Sequence, residues 1–165
     1  MTAPPGSVPN ASSPTQPAAP VEQLDPRGLR FAAAVTTVVL ALALLTGNLV
    51  VLALQAIVFA VGVFLGPRSS PYGLFFARVI RPRIGPPAET EDARPPRFAQ
   101  GVGLAFALIG GIAEVAGLDV LAVVAIAFAL VAAFLNAAFS FCLGCQVYLL
   151  GRRVSGRLAP VTSAR

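Results

Sequence analysis

The stretch Asp25-Pro26-Arg27-Gly28-Leu29-Arg30-Phe31-Ala32-Ala33-Ala34-Val35 returns 67 residues later as Asp92-Ala93-Arg94-Pro95-Pro96-Arg97-Phe98-Ala99-Gln100-Gly101-Val102. Asp, both Arg, Phe, Ala and Val keep identical spacings, and each copy leads into a long apolar run. Self-similarity at one fixed offset marks two copies of one unit. Each unit reads as a charged lead-in, an apolar hairpin and a basic exit. The fold this grammar predicts is all-α: a four-helix integral membrane bundle built from two parallel-repeat helical hairpins, behind a disordered N-terminal tail.

Composition supports a bilayer as the solvent. Hydrophobic residues make up 56% of the 165 and charged residues 12%, against roughly 25% charged in an average soluble domain. A soluble core of this size cannot hide that much apolar surface. All twelve basic residues are Arg, and the net charge is +5. The Arg residues sit at the ends of apolar runs rather than along one polar face, so they read as headgroup anchors and not as a nucleic-acid surface. Arg30, Arg78, Arg81, Arg97, Arg152 and Arg153 are the expected membrane-interface anchors. With abundant Ala, Pro, Gly and Val, the all-Arg usage has the look of a high-GC bacterium.

The chain contains no His and no Trp. That removes His-ligated haem, the common His-containing zinc and di-iron sites, and Ser-His-Asp or Cys-His catalysis. No cofactor is implied. Chemistry is left to thiols, seven acidic side chains, Arg and two Tyr.

Residues 1–24 are rich in Pro, Ala, Ser and Thr, and read as a disordered tail. Four spans are expected, at about 29–46, 49–65, 98–116 and 120–141, each near the ~20 residues that cross roughly 30 Å of hydrocarbon. Only Gly47-Asn48 separates the first two, which forces an antiparallel hairpin. An interfacial helix is expected at about 71–80, with Ser70 as its cap, Pro71 in its first turn and Pro82 as its stop. Residues 154–165 read as a flexible basic tail.

Charge then sets orientation. Basic residues occupy the N-terminal lead-in, the central loop and the C-terminus, while the two hairpin loops carry none. The positive-inside rule places both termini in the cytoplasm of a multi-pass protein in a bacterial inner membrane. With two spans per unit, both units share one orientation, and their symmetry axis should run along the membrane normal.

Cys142-Leu143-Gly144-Cys145 is the motif with the most evident chemistry. On a helix, positions i and i+3 share a face, so one thiolate can attack or resolve a disulfide formed by its neighbour. The pair reads as lying toward a helix C-terminal end, where Arg152 or Arg153 would activate it. Three readings stay open: redox or persulfide exchange, half of a metal site completed in a dimer, and simple packing. One pair supplies two ligands, so no metal site is assigned within the chain. A repeat register of 70 places Cys142 opposite Tyr72 and Cys145 opposite Phe75. Gln55 and Asn136 are polar groups deep in spans, which could line a substrate path or bond between helices. Glu114 reads as solvated in its loop, and the span glycines as close-packing positions.

Four segments carry a resemblance: Asp25 to Phe31, Arg81-Pro82-Arg83-Ile84-Gly85-Pro86-Pro87, Pro96-Arg97-Phe98-Ala99-Gln100, and Asn136 to Cys145. They look like the small bacterial membrane family catalogued as domain of unknown function 4395. The resemblance covers about Asp25 to Arg153 and brings no established activity. It implies association with thioredoxin-like proteins and sulfurtransferases, which suits thiols at Cys142 and Cys145. Membrane thiol oxidases that pass electrons from a CxxC pair to quinone are also similar, but this chain has no second pair to receive electrons from a partner, and its pair is expected on the cytoplasmic side.

The expected function is therefore a cytoplasm-facing dithiol that relays electrons or sulfane sulfur to such a partner. The alternatives are a small transporter or channel subunit with a path between the hairpins past Gln55 and Asn136, and a non-catalytic membrane scaffold. Whether any of these is enzymatic stays open, as does homo-oligomer formation. The topology is directly testable. In a variant lacking the native cysteines, single cysteines at Gly47 and Gly117 should react with an impermeant maleimide outside intact cells, and cysteines at Thr90 or Ser163 should not. Labelling at Thr90 would invert the orientation.

Overall fold

The computed structural model describes residues 22–158. The expected N-terminal tail up to residue 21 and the last stretch, 159–165, lie outside the described residues. In order, the chain forms β1 (Gln23–Leu24), α1 (Pro26–Thr46), α2 (Leu49–Phe64), a 3-10 turn (Pro67–Ser69), α3 (Pro71–Phe75), a π-turn (Phe76–Ile80) and α4 (Arg81–Ile84). These are followed by β2 (Glu91–Asp92), α5 (Arg94–Val115), α6 (Asp119–Phe139) and α7 (Leu143–Leu158).

At the starts of α1, α2 and α5 a side chain accepts an exposed backbone N–H. Asp25 caps α1, accepting from the Arg27 N–H at 3.0 Å, and Asp92 accepts from the Arg94 N–H at 2.8 Å. The repeated Asp-x-Arg is thus a repeated helix start. Gly47 ends α1 in the left-handed region at φ 59°, a conformation glycine adopts without a Cβ penalty. Asn48 then caps α2 through the Val50 and Val51 N–H groups. The second hairpin turns in the same way at Gly117, φ 71°, with the Leu118 N–H returning to the Ala113 carbonyl at 2.8 Å.

Three helices, α1, α5 and α6, are long and apolar enough to cross a membrane, with mean hydropathies of 2.1, 1.6 and 2.6. These mark the chain as a membrane protein by length and composition. The second expected span falls short: α2 is apolar but has 16 residues, about 24 Å at helical rise. Large apolar side chains face outward along all four, with Leu45 83% and Val120 79% exposed, as lipid rather than water would allow. The interior cluster joins Leu40 and Ala43 of α1, Leu52 and Phe59 of α2, Ala107 of α5, and Ile126 and Ala129 of α6. Packing is interleaved: α1 lies mainly on α6, α2 on α5, and α5 on α6, while α1 touches α2 more sparingly.

Several boundaries differ from expectation. Residues Gln23 and Leu24 are not tail: β1 pairs antiparallel with β2, Leu24 opposite Glu91, and Leu24 is buried. The interfacial element does not stop at Pro82. It widens into the π-turn and continues to Ile84, because Pro82 has no N–H to give and its ring would crowd the carbonyl one turn back. The fourth span ends at Phe139 instead of running to 141, and α7 carries helix through Leu158, past the expected start of the C-terminal tail.

Arg27 joins these pieces. It forms an ion pair with Asp25 at 3.1 Å and donates to the Gly85 carbonyl at 2.9 Å, tying the start of α1 to the end of α4. Burial pushes the Asp25 carboxyl up, but the Arg27 side-chain and backbone hydrogen bonds and the charges of Arg27 and Arg81 outweigh it and hold the group below its ordinary value. A lowered folded-state value stabilises the fold above the unfolded pKa and is lost as pH falls through the folded one. Asp25→Ala should therefore cost about 0.5–2 kcal/mol near neutrality. In thermal unfolding of nanodisc-embedded protein, that difference should shrink as pH drops below about 4.

Candidate functional site

The cysteine pair is placed by a sharp break in the chain. α6 ends at Ser140, which takes a left-handed conformation at φ 56°, unusual for a residue with a Cβ. The Ser140 and Phe141 N–H groups close back on the Asn136 and Leu135 carbonyls, and the chain turns away. It restarts at Leu143 as α7, which leaves α6 and lies against α5.

Cys142 therefore stands immediately before a helix and not at the C-terminal end expected from the sequence. Its sulfur accepts the Cys145 N–H at 3.3 Å, the bond an N-cap side chain makes to the third helical residue. The two cysteines are joined as a disulfide, with Cα atoms 5.2 Å apart, inside the usual window of roughly 4.4–6.8 Å. Both are half-buried. Because the pair opens α7, the positive end of the helix lies beside it. Arg152 and Arg153, expected to help, are exposed and about two turns further along α7.

A cap of the same kind stands at the start of α3, where Ser70 accepts the Gly73 N–H at 3.1 Å. Phe31 packs on Phe75 and Phe76 with centroids 5.8 and 5.9 Å apart, and Phe98 packs on Tyr148 at 5.8 Å.

Gly144 seats the pair on α5. A Cβ there would lie 2.7 Å from the Ala99 Cα and Cβ, so only glycine allows this approach. Beside it opens a cavity of about 700 Å³, lined by α1, α5, α6 and α7, by the interfacial element between Pro67 and Arg81, by β1 and β2, and by Phe59 of α2, with Cys142, Cys145 and Asn136 among its lining residues.

The structure separates the two deep polar candidates. Asn136 lines the cavity; Gln55 does not. Gln55 is fully buried and donates toward the Thr36 hydroxyl at 3.5 Å while accepting the Tyr72 hydroxyl at 2.9 Å. Thr36 itself lines the cavity, so Gln55 backs the wall through it. Burial pushes the Tyr72 phenol up, which keeps it a neutral donor to Gln55.

Two of the expected interface anchors have a further role. Arg30 donates to the Ala137 carbonyl at 3.4 Å, and Arg97 to the Val63 and Phe64 carbonyls. Both thus reach the last turns of α6 and α2, where carbonyls lack intrahelical partners and the helix end is negative. Arg78 and Arg81 are exposed on the interfacial element. Gln100, on the cavity wall next to Ala99, escaped the sequence reading; its position in the second lead-in motif was the available signal. Among the described residues no cluster of three or more metal-ligating side chains occurs.

A family model described as Domain of unknown function (DUF4395) matches residues 24–153. No curated protein and no solved structure matches the chain.

The Gly144 contact yields a paired test. Gly144→Ala should push α7 off α5 and cost about 1–3 kcal/mol, with faster alkylation of the reduced cysteines. Gly151→Ala, where nothing lies within 4 Å of the added carbon, should instead be neutral or stabilising by about 0.5–1 kcal/mol. Thermal unfolding and thiol-labelling rates read both.

Proposed function

The chain belongs to the DUF4395 family, and on that footing we propose that it is a four-span membrane protein whose Cys142–Cys145 pair faces the cytoplasm and exchanges electrons or sulfane sulfur with a soluble thioredoxin-like or sulfurtransferase partner. The observation that carries this reading is the place of Cys142 at the start of α7, one turn from Cys145 and bonded to its N–H. In the reduced pair a Cys142 thiolate would keep that N–H and the positive helix end, both of which stabilise an anionic sulfur.

Cys142 is then the attacking thiol and Cys145 the resolving one. The Cys142 thiolate opens the partner's disulfide and forms a mixed disulfide, releasing one partner thiolate. Cys145 next attacks the Cys142 sulfur, closing the internal disulfide and expelling the second. The partner gains the two electrons that the pair gives up. With a persulfide partner, the outer sulfur passes to Cys142 and leaves as hydrosulfide when Cys145 closes the ring.

Orientation rests on the Arg distribution, and the shared orientation of two hairpin units on the β1–β2 pairing. Leu24 and Glu91 are 67 positions apart, which is the repeat offset, and they pair with each other antiparallel. A residue that pairs with its own repeat equivalent lies on a twofold axis. The packing of α1 on α6 and of α2 on α5 has the same symmetry. The short α2 completes a fourth span with modest local thinning of the bilayer.

Trapping tests the chemistry. The reduced Cys145→Ser variant, mixed with oxidised thioredoxin, should accumulate a mixed disulfide visible on a non-reducing gel, and Cys142→Ser should not. If neither variant traps thioredoxin or a persulfide donor, the cysteines are packing residues and the relay reading fails.

A further inference from the structure

We infer that the groove between α2 and α5, headed by Arg94 and Arg97, is a binding site for an anionic phospholipid. The cysteines do not line it, and its occupant needs no redox chemistry.

Arg94, Phe98, Gly101 and Ala105 follow one another at spacings of four, three and four, which puts them on one side of α5 with the charge at the head. Val102 stands beside them, and Val63 of α2 forms the opposite wall. The groove holds about 520 Å³ and is apolar below its two arginines. From Arg94 to Ala105 it runs about 16 Å at helical rise, half of the roughly 30 Å of hydrocarbon and so the depth of one leaflet.

The space is not a by-product of tight helix packing. A Cβ on Gly101 would lie 3.8 Å from the nearest Val63 methyl, an ordinary contact, so α2 and α5 could meet with a larger residue there. The first unit has larger ones: Ala34 and Val38 stand 67 positions before Gly101 and Ala105. Phe31 is also covered by both Phe75 and Phe76, whereas Phe98 packs on the Tyr148 ring and stays 41% exposed. The groove therefore belongs to the second unit, where the repeat keeps its charges and trims the side chains below them.

The head selects the ligand. Because α5 is long enough to span, its start lies at a membrane surface, and Arg94 and Arg97 are exposed there. Arg27, the counterpart of Arg94, is engaged by Asp25 at 3.1 Å and by the Gly85 carbonyl. Arg94 meets Asp92 only at 3.9 Å. Arg97 gives Nε and one Nη to the last carbonyls of α2, and a guanidinium carries further N–H donors beyond those two. Two guanidiniums against one carboxylate leave a net positive head, for which a phosphodiester supplies matching oxygens. Basic pockets between spans hold phospholipid headgroups in this way. A small soluble anion would leave the apolar length uncovered, and phosphatidylcholine would bring its own cation to a site that already has two.

Native mass spectrometry of the full-length protein in detergent, titrated with phosphatidylglycerol or phosphatidylcholine, tests the site. The first phosphatidylglycerol should bind about tenfold more tightly than the first phosphatidylcholine. Arg94→Gln should weaken it about fivefold, and Ala105→Phe, an exposed position whose enlargement fills the groove, by a similar factor. Arg78→Gln, which removes an exposed charge outside the groove, should leave it unchanged. Absence of a preference in the wild-type protein would overturn the proposal. So would an equal loss in Arg78→Gln, which would make the affinity a property of the whole basic surface, or full retention in Ala105→Phe. Displacement of the lipid by glycerol phosphate at matching concentration would show a headgroup site without an acyl groove and would overturn it as well.

Discussion

A helix leaves its first four N–H and last four C=O groups without partners, and in an apolar slab water is not at hand to satisfy them. Much of this chain is organised around that constraint. Asp25, Asn48 and Asp92 accept N–H groups at the starts of α1, α2 and α5. Arg97 reaches from α5 to the last carbonyls of α2, and Arg30 from α1 to those of α6. The arginines that a charge count assigns to headgroups thus also pin one helix to the end of another. In each lead-in the Asp serves its own helix's start and the second Arg the end of a neighbouring helix, while of the first Arg residues Arg27 reaches the end of α4 and Arg94 pairs with Asp92.

The same constraint connects the fold to the chemistry. The start of α7 needs an acceptor, and a cysteine sulfur fills the place that Ser70 fills at the start of α3. Serine there is a cap and nothing more. Cysteine makes a weaker cap, but its sulfur can ionise, form a disulfide or carry another sulfur. Cys145 supplies the capped N–H and the second sulfur together, so the helical turn that closes the cap also brings the sulfurs within bonding reach. Gly144 between them allows the turn to press against Ala99, which places the pair at the cavity and not out in solvent.

Close packing and open space are divided between the two ends of the bundle. Toward the hairpin turns, Leu40, Leu52 and Ile126 interlock and are almost wholly buried. Toward the helix starts at Asp25 and Asp92, small residues on α1, α5 and α6 face one another across the cavity. The tight end supplies rigidity by contact. The open end relies on directional bonds: the arginine clamps, the Asp25–Arg27–Gly85 tie and the β1–β2 pairing. Bonds of that kind hold helices apart as well as together, which side-chain interdigitation alone does not do.

The features that the sequence by itself determined are short-range ones. The apolar runs marked the long helices to within a few residues, Gly47-Asn48 marked a turn, and the Asp-x-Arg repeat marked two equivalent helix starts, because each signal is contained in one or two helical turns. The cysteine spacing likewise announced a pair that could bond. The end of α6 was not legible: Ser140 takes a conformation that its own side chain disfavours, at the break after which α7 lies against α5. Nor was the fate of Gln55, whose partners Thr36 and Tyr72 are 19 and 17 positions away on other helices. The cavity depends on which alanines and glycines of three helices meet across a gap, and no run of residues carries that information. Tertiary packing alone decided that Cys142 would begin a helix, that Asn136 and Gln100 would share its wall, and that a space would remain among them, since each depends on contacts between segments far apart in the chain.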